Sequence, residues 1–336
     1  MELNTVSISD MTSLVRLEWL EGPSLVGMNA QQLFIPEDMA NFTGDSRRYT
    51  EIDTETFANE MDEGDDASIA TVQQGYTIDM SMRRKAKEIT ITWKMRRLNR
   101  YPEVVSKLTS LAQFCPQRME IDLSHRLGFA TATAYTDMDG ISTDLTVGDD
   151  LALVSAVHTV RGSSSTYSNV ITGNPTFSKG GLEIAEGQAN TQIISQFGER
   201  RIMNFNTIVT TDDPATVNDV KQFLNSTADV DQSNSGVVNV YKNKYRHVVL
   251  PWLATTAAGA RDTTKDKRWF LIAAGQGVRG WQAYLGIWEQ PNLKTPTEGN
   301  NGEDVHNDNW TYGTRCSYGI VCVTGRGLLC STGLGS

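Results

Sequence analysis

Gly275-Gln276-Gly277-Val278-Arg279-Gly280 matches G-x-G-x-x-G, the pattern that cradles a dinucleotide. That chemistry needs the last glycines to open a helix whose N-terminal amides face a pyrophosphate. The residues that follow, WQAYLGIWEQP, are aromatic, glycine-interrupted and closed by Pro291, so the stretch predicts turns and a bulge instead. The four histidines, His125, His158, His247 and His306, are scattered, and none has a zinc-pairing spacing. Residues 303–309, EDVHNDN, bring Glu303, Asp304, His306 and Asp308 into one loop that could hold a cation weakly, although Asp and Asn in such a run usually serve turns. Ser163, Ser164 and Ser165 form the serine cluster, without the G-x-S-x-G elbow of a nucleophile. Cys115, Cys316, Cys322 and Cys330 are never two or four apart, which argues against a zinc site and a disulfide scaffold and fits folding under reducing conditions. The expectation is no catalytic, cofactor-binding or metal-binding residue, and no enzyme.

What remains is charge. The 336-residue chain has a formal net charge of −10, which makes it as a whole a poor binder of polyanions. Yet residues 80–100 hold eight Lys and Arg against one acid, and residues 51–66 hold eight acids and no base. Blocks like these are usually solvated faces. No apolar run approaches the ~18–20 residues of a membrane span, and the N-terminus has no basic segment leading into an apolar stretch.

The elements around the basic block explain where it sits. Tyr76, Ile78, Met80 and Met82 alternate with polar residues, and so do Ile89, Ile91, Trp93 and Met95. Period two over four apolar positions predicts strands with one covered face. Joined by Arg83, Arg84, Lys85 and Lys87, they predict a long β-hairpin with a cationic tip. A lone ribbon is marginal in water, so its apolar face calls for a partner. Leu14, Leu17, Trp19 and Leu20 predict a short helix in an N-terminal arm. Beyond Pro102, the spacing of Val104, Leu108, Leu111 and Cys115 predicts an amphipathic helix, with a kink or stop at Pro116. Later come helices capped by Ser178 and started near Asp213-Pro214, strands in ERRIMNFNTIVTT (199–211), VVNVYKNKYRHVVLPWL and KRWFLIAAG, and one more strand or hairpin in the tail. The class is mixed α+β without a βαβ repeat.

The basic hairpin has three readings. It can grip phosphate as a nucleic-acid ribbon. It can be a solvated edge whose cations discourage aggregation. Or it can be an intersubunit arm whose Arg83, Arg84, Lys85, Lys87, Arg96 and Arg97, with Trp93, meet Asp62, Glu63, Asp65 and Asp66 of a second copy. The last uses both charge blocks and the apolar face, and is preferred.

In this order of features the chain resembles the tailed-phage major capsid proteins of the Hong Kong 97 type. The resemblance runs from about residue 45 to the end. It is carried by DDLALVSAVHTVRGSSSTYSNVIT (149–172), FSKGGLEIAEG, QFLNST (222–227), VNVYKNKYRHVVLPWL, KRWFLIA and TRCSYGIVCVTGRGL. It implies an N-terminal arm (1–46), an extended β-hairpin loop (47–100), a spine helix with peripheral domain (101–144), an axial domain (145–290) and a return to the peripheral domain (291–336). It further implies pentamers and hexamers of the chain closing an icosahedral shell around double-stranded DNA, with assembly in the host cytoplasm. Portal and decoration proteins are implied partners. The loop begins too early for a long fused scaffold, so a separate scaffolding protein is expected. Some relatives crosslink a Lys to an Asn; Lys85 and Lys87 lie near the hairpin tip, but no matching Asn and Glu are found. The alternative is a virion accessory or DNA-binding protein using the basic hairpin on phosphate.

Overall fold

The structure, a computed structural model, describes residues 12, 13, 16, 19, 27–54, 57–64, 66–98, 101–191, 193–228, 237–277, 280–295 and 309–335. The first strands are β1 (Ile35–Asp38), β2 (Ser46–Thr54), β3 (Val72–Ser81) and β4 (Arg83–Ile91). The short helix α1 (Trp93–Arg97) and the 28-residue α2 (Tyr101–Gly128) follow. Two small hairpins come next, β5 (Ala134–Thr136) with β6 (Ser142–Asp144) and β7 (His158–Val160) with β8 (Ser163–Tyr167). The rest is α3 (Lys179–Thr191), β9 (Thr207–Thr210), α4 (Pro214–Asn225), β10 (Arg246–Val249), β11 (Trp269–Ile272), β12 (Ala283–Lys294), β13 (Trp310–Cys322) and β14 (Leu328–Ser331). The mixed α+β class is as expected.

Two four-stranded sheets organise these elements. One has the order β1-β12-β13-β4, with β1 parallel to β12 and the rest antiparallel. The other has the order β10-β9-β11-β14, with only β10 and β9 parallel. The α2 stripe Cys115, Met119, Leu123 and Leu127 recurs every four residues and joins both sheets in one core, touching a cluster that includes Leu285, Tyr318, Val209, Phe270 and Leu328. On the other side of the second sheet, Leu182 and Ala185 of α3 with Val220 and Phe223 of α4 cover Ile208, Trp269, Leu271 and Leu329. Strands β9 and β11 are therefore buried at every residue, which is why Thr207–Thr210 and Trp269–Ile272 lack alternation.

Helix α2 runs through Pro116 without stopping. Proline deletes one amide donor, but Cys115 and Met119 on either side are 2% and 3% exposed, and their burial offsets the lost bond. The predicted cap and the predicted helix start are in place: Ser178 Oγ accepts from the Gly181 amide at 3.1 Å, and Asp213, just before α4, accepts from the Thr216 amide at 3.0 Å. Burial pushes the Asp213 carboxyl up, but hydrogen bonds from Lys267 and Thr216 outweigh it and bring it down to about 2. Asp213→Ala should cost about 1–2 kcal/mol in urea unfolding at pH 7. Because the folded pKa is depressed, that difference is present above the ordinary carboxylate range and fades as pH falls through about 2.

The expected hairpin of 76–95 does not form. β3 pairs with β2, Tyr49 opposite Ile78 and Arg47 opposite Met80, while β4 turns away and pairs with β13, Ile91 opposite Trp310 and Ile89 opposite Tyr312. Both apolar faces are covered within the chain except at Trp93, which lies on α1 and is 49% exposed. Ile91 sits in a cluster with Leu111, Trp310 and Tyr312. Met80 and Met82 lie over Gly286 and Gly319 so closely that a Cβ at Gly286 would meet the Met80 methyl at 2.4 Å. Glycines on β12 and β13 thus open a seat for Met80 of β3 and for Met82 just beyond it. Aromatic cross-strand pairs some 220 residues downstream win over the local turn.

Smaller differences have local causes. Val237, Val238 and Val240 are exposed, with only a single bridge from Val238 to Ala228 there, so the strand expected over 237–253 shrinks to β10. The tail divides its two strands between the two sheets. Gly275 and Gly277 both have positive φ, and β12 rather than a helix follows the glycine run, which removes the geometry a dinucleotide needs. Of the predicted N-terminal helix, Thr12, Ser13, Arg16 and Trp19 are helical, while Leu14, Leu17 and Leu20 lie outside the described residues. The 303–309 loop, with His306, also lies outside them, save Asn309.

His125 is a buried and His247 a half-buried polar link, bonded to Thr255 at 2.9 Å and Thr210 at 2.8 Å. Burial pushes both rings down to about 4, aided at His125 by Lys265 and Arg118 and at His247 by Lys221. Both are neutral when folded and take up protons on unfolding below about 6.5, so their contribution is intact above that pH and drains away toward pH 4. The urea midpoint should therefore fall between pH 7 and 4.5, and less so in a His125→Gln/His247→Gln variant.

Candidate functional site

The projecting element is the β2–β3 ribbon, and its tip is acidic. Every described residue from 57 to 72 is exposed. Glu60, Asp62, Glu63 and Asp66 lie there beside Phe57 at 70% exposure, Met61 at 57% and Ile69 at 94%. Asp65 falls outside the described residues. An Asn59–Ser68 hydrogen bond of 3.0 Å ties the two sides of the tip together. An apolar patch set among acids on a two-stranded projection is what a partner would complete.

The root of this ribbon is fixed by buried charge. Glu51 on β2 is 3% exposed and pairs with Arg326, itself 1% exposed. Its second oxygen accepts from Gln196 Nε2 at 2.5 Å. Burial brings the Arg326 guanidinium down to about 10, which leaves it charged at neutral pH. Asp53, two residues along the same strand, accepts from the Gln196 amide at 3.1 Å and meets Arg201 at 3.5 Å. Across the ribbon, Arg161 donates to the Gly75 carbonyl at 3.0 Å and the Tyr76 and Thr159 hydroxyls bond at 2.9 Å. Lower down, Arg48 and Asp79 form a two-point pair at 2.9 and 3.0 Å. Nothing in the local pattern around Glu51 announces the latch; its partner lies 275 residues away.

The basic block lies elsewhere, on β4 at one end of its sheet and on α1. Part of it is used within the chain. Arg83 donates to Thr143 at 3.0 Å and to the Ser142 carbonyl at 3.3 Å, and Lys85 reaches Asp139 at 3.3 Å and Asp137 at 3.6 Å. Arg118 of α2 shares the same carboxylates, at 3.1 Å from Asp137 and 3.0 Å from Asp139. These cations bind β4 to the β5–β6 hairpin. Arg84 touches Glu289 at 3.6 Å but keeps 59% of its side chain exposed. Lys87, Lys94 and Arg97 are exposed, and Arg97 lies 5.2 Å over the ring of Trp93, itself 49% exposed. The side chain of Arg96 is outside the description. Of the predicted contact set, Arg84, Lys87, Arg97 and Trp93 are exposed along β4 and α1, with Arg84 and Lys87 on opposite faces of the strand, while Arg83 and Lys85 are internal. Lys94 adds one more exposed cation. It carries no signal of its own in the sequence, where the turn and the Arg96-Arg97 pair stand out.

Other chemical candidates resolve into structure. His158 Nδ1 bonds Asp149 at 2.8 Å and its ring stacks on Tyr167 with centroids 5.0 Å apart. Ser163 Oγ donates to Ser165 Oγ at 3.1 Å. Among the described residues no group of three His, Cys, Asp or Glu side chains is placed to hold a metal. No described helix is long and apolar enough to cross a membrane.

No family model matches the chain, and no curated protein does. Among solved structures, the chain is similar to the capsid of Ralstonia phage GP4, at 12% identity over 91% of this chain and 88% of that one, TM-score 0.49. It is similar to the capsid of the cyanophage P-SCSP1u, at 10% identity over 89% and 86%, TM-score 0.49. It is also similar to a virus-like particle from Pyrococcus furiosus, at 10% identity over 95% and 98%, TM-score 0.44.

Proposed function

We propose that this chain is the major capsid protein of a tailed-phage head, a structural, non-enzymatic subunit. It would self-assemble as pentamers and hexamers into an icosahedral shell around double-stranded DNA. The observation that carries this reading is the β2–β3 ribbon: rigidly rooted by Glu51–Arg326, fully exposed at its acidic, apolar tip, and matched in charge by an open cationic edge on the same chain. A chain that carries both halves of a contact and does not bring them together can satisfy them between copies, head to tail around a ring. The earlier assignment of roles is reversed. The acidic block is the arm, and the basic strand is the platform on which a neighbour's arm rests.

In this reading 47–100 supplies arm and platform, α2 is the spine, 145–290 forms the part around the symmetry axes, and the first and last segments serve as arm and return. A separate scaffold, portal and decoration proteins would complete the virion, with assembly in the host cytoplasm. Individual exposed ion pairs contribute about 0–1 kcal/mol and are screened by salt, so docking is reversible at each contact and accumulates over the shell. The DNA-binding alternative has less support, because Arg83 and Lys85 are engaged by the chain's own hydroxyl, carbonyl and carboxylate groups and the net charge is −10.

Negative-stain electron microscopy of the purified protein across protein concentration and salt tests the proposal. Rings or closed particles that dissociate at high salt are expected. Monomers at every concentration, together with salt-sensitive retention of duplex DNA, would favour the alternative.

A further inference from the structure

The four cysteines, featureless in sequence spacing, include one pair that the fold brings together. Cys115 lies on the buried stripe of α2 at 2% exposure, and Cys316 lies on β13 at 0%. Thr314, two residues before Cys316 and so on the same face of the strand, donates its hydroxyl to Cys115 Sγ at 3.3 Å. Cys115 and Cys316 belong to the same core cluster between α2 and β13, and the neighbouring Cys316 thiol, with help from Thr314, lowers the Cys115 thiol below its ordinary range against the effect of burial. The same contact, reinforced by burial, pushes Cys316 up. Cys322 and Cys330, by contrast, are isolated thiols that burial raises to about 11 and about 12.

We infer that Cys115 and Cys316 are a dithiol that hydrogen peroxide converts into an intrachain disulfide joining α2 to β13. The division of roles follows from the hydrogen bonds: Cys115, which accepts from Thr314, is the attacking sulfur, and Cys316 is the resolving thiol. In the first step the Cys115 sulfur forms an S–O bond as the peroxide O–O bond breaks, and the departing hydroxide takes the Cys115 proton to become water. In the second, the Cys316 sulfur attacks the sulfenic sulfur, an S–S bond forms, the S–O bond breaks, and the hydroxyl leaves with the Cys316 proton as a second water. Two thiols are oxidised and one peroxide is reduced.

Both sulfurs are enclosed, so the oxidant must be small and neutral. Pro116, next to Cys115, cannot donate to the carbonyl of Ala112 and leaves one helical bond missing at the turn that holds the sulfur. The product would close a loop of about 200 residues, and a link of that span restricts the unfolded chain strongly. The pairing stands whether or not the chain builds a shell.

The test uses the wild-type folded protein, treated with a few equivalents of hydrogen peroxide, quenched, alkylated in denaturant and digested with trypsin without reduction. Cys115 falls in peptide 108–118, and Cys316 shares peptide 316–326 with Cys322, so tandem fragmentation must assign the sulfur. Expected are a Cys115–Cys316 link that dithiothreitol reverses, alkylated Cys322 and Cys330, and a shift of the urea midpoint to higher concentration. In Cys316→Ser, dimedone should trap a sulfenic acid at Cys115. Four free thiols after peroxide, over-oxidised Cys115 without a link, or a link through Cys322 or Cys330 would each overturn the inference.

Discussion

Replacing Glu60, Asp62, Glu63 and Asp66 with lysine should leave the subunit folded and abolish its assembly. All four side chains are exposed, so folding loses little, within about 0.5 kcal/mol per site. Between copies the arithmetic is different. Each attraction worth up to about 1 kcal/mol becomes a repulsion of similar size, so four reversals shift one contact by several kcal/mol. That raises the protein concentration needed for assembly by about a hundredfold or more per contact, since each 1.4 kcal/mol is tenfold. Sedimentation velocity at low salt should show only the unassembled species, with an unchanged circular dichroism spectrum. Adding Arg84→Glu, Lys87→Glu, Lys94→Glu and Arg97→Glu in the same chain should restore part of the assembly, because the charges are complementary again with signs exchanged. Raising the salt should shrink the difference between variant and parent. Full assembly by the four-lysine variant would mean that the tip acids are mere solvated surface.

The second large effect is on stability. Arg326→Met leaves Glu51 as a buried carboxylate whose remaining polar neighbour is Gln196. Breaking one partner out of a buried pair costs about 3–5 kcal/mol. In a chain of this size the melting temperature should fall by roughly 5–10 °C. The double change Glu51→Leu/Arg326→Met should cost much less than the single one, because no unpaired charge is left behind. Hydrogen exchange in the single variant should rise first along β2 and β3, whose root the pair holds. Equal loss in single and double variants would show that Arg326 acts through its contact with the Tyr167 ring, 5.3 Å away, and not through Glu51.

Local signals were legible where a local cause decides. Ser178 and Asp213 stand before helices because their oxygens meet free amides, and the first half of α2 follows from the four-three-four spacing of Val104, Leu108, Leu111 and Cys115, while its continuation past Pro116 does not. The mixed class and the strand character of 76–82 and 89–91 were equally readable. Pairing was not. The turn Arg83–Lys87 looked like a hairpin tip because two alternating runs flank it, yet the partner of each run lies elsewhere, in β2 and in β13. Period two says that a strand has a covered face and says nothing of what covers it. The seat for Met80 is made by Gly286 and Gly319, residues whose sequence context reads as ordinary strand. The apolar faces over 76–91 are therefore satisfied at home, and the case for a partner passes to Phe57, Met61 and Ile69 at the acidic tip, with Trp93 exposed on α1.

The same reasoning explains the site. The two charge blocks were visible as composition, but which one projects depends on the β2–β3 register, set by Tyr49 opposite Ile78 and by the Glu51–Arg326 latch. The Cys115–Cys316 proximity was invisible for the same reason, since it depends on a helix and a strand far apart in the chain packing face to face.

The central claim is that the tip of one copy rests on the β4–α1 edge of another. Mixing isotopically light and heavy protein, assembling it, and treating it with a zero-length carbodiimide that joins carboxylates to amines addresses it directly. Mass spectrometry should find Asp62, Glu63 or Asp66 joined to Lys87 or Lys94, with mixed light–heavy pairs among the products. Links confined to single-isotope pairs, or tip acids joined only to lysines away from that edge, would contradict it.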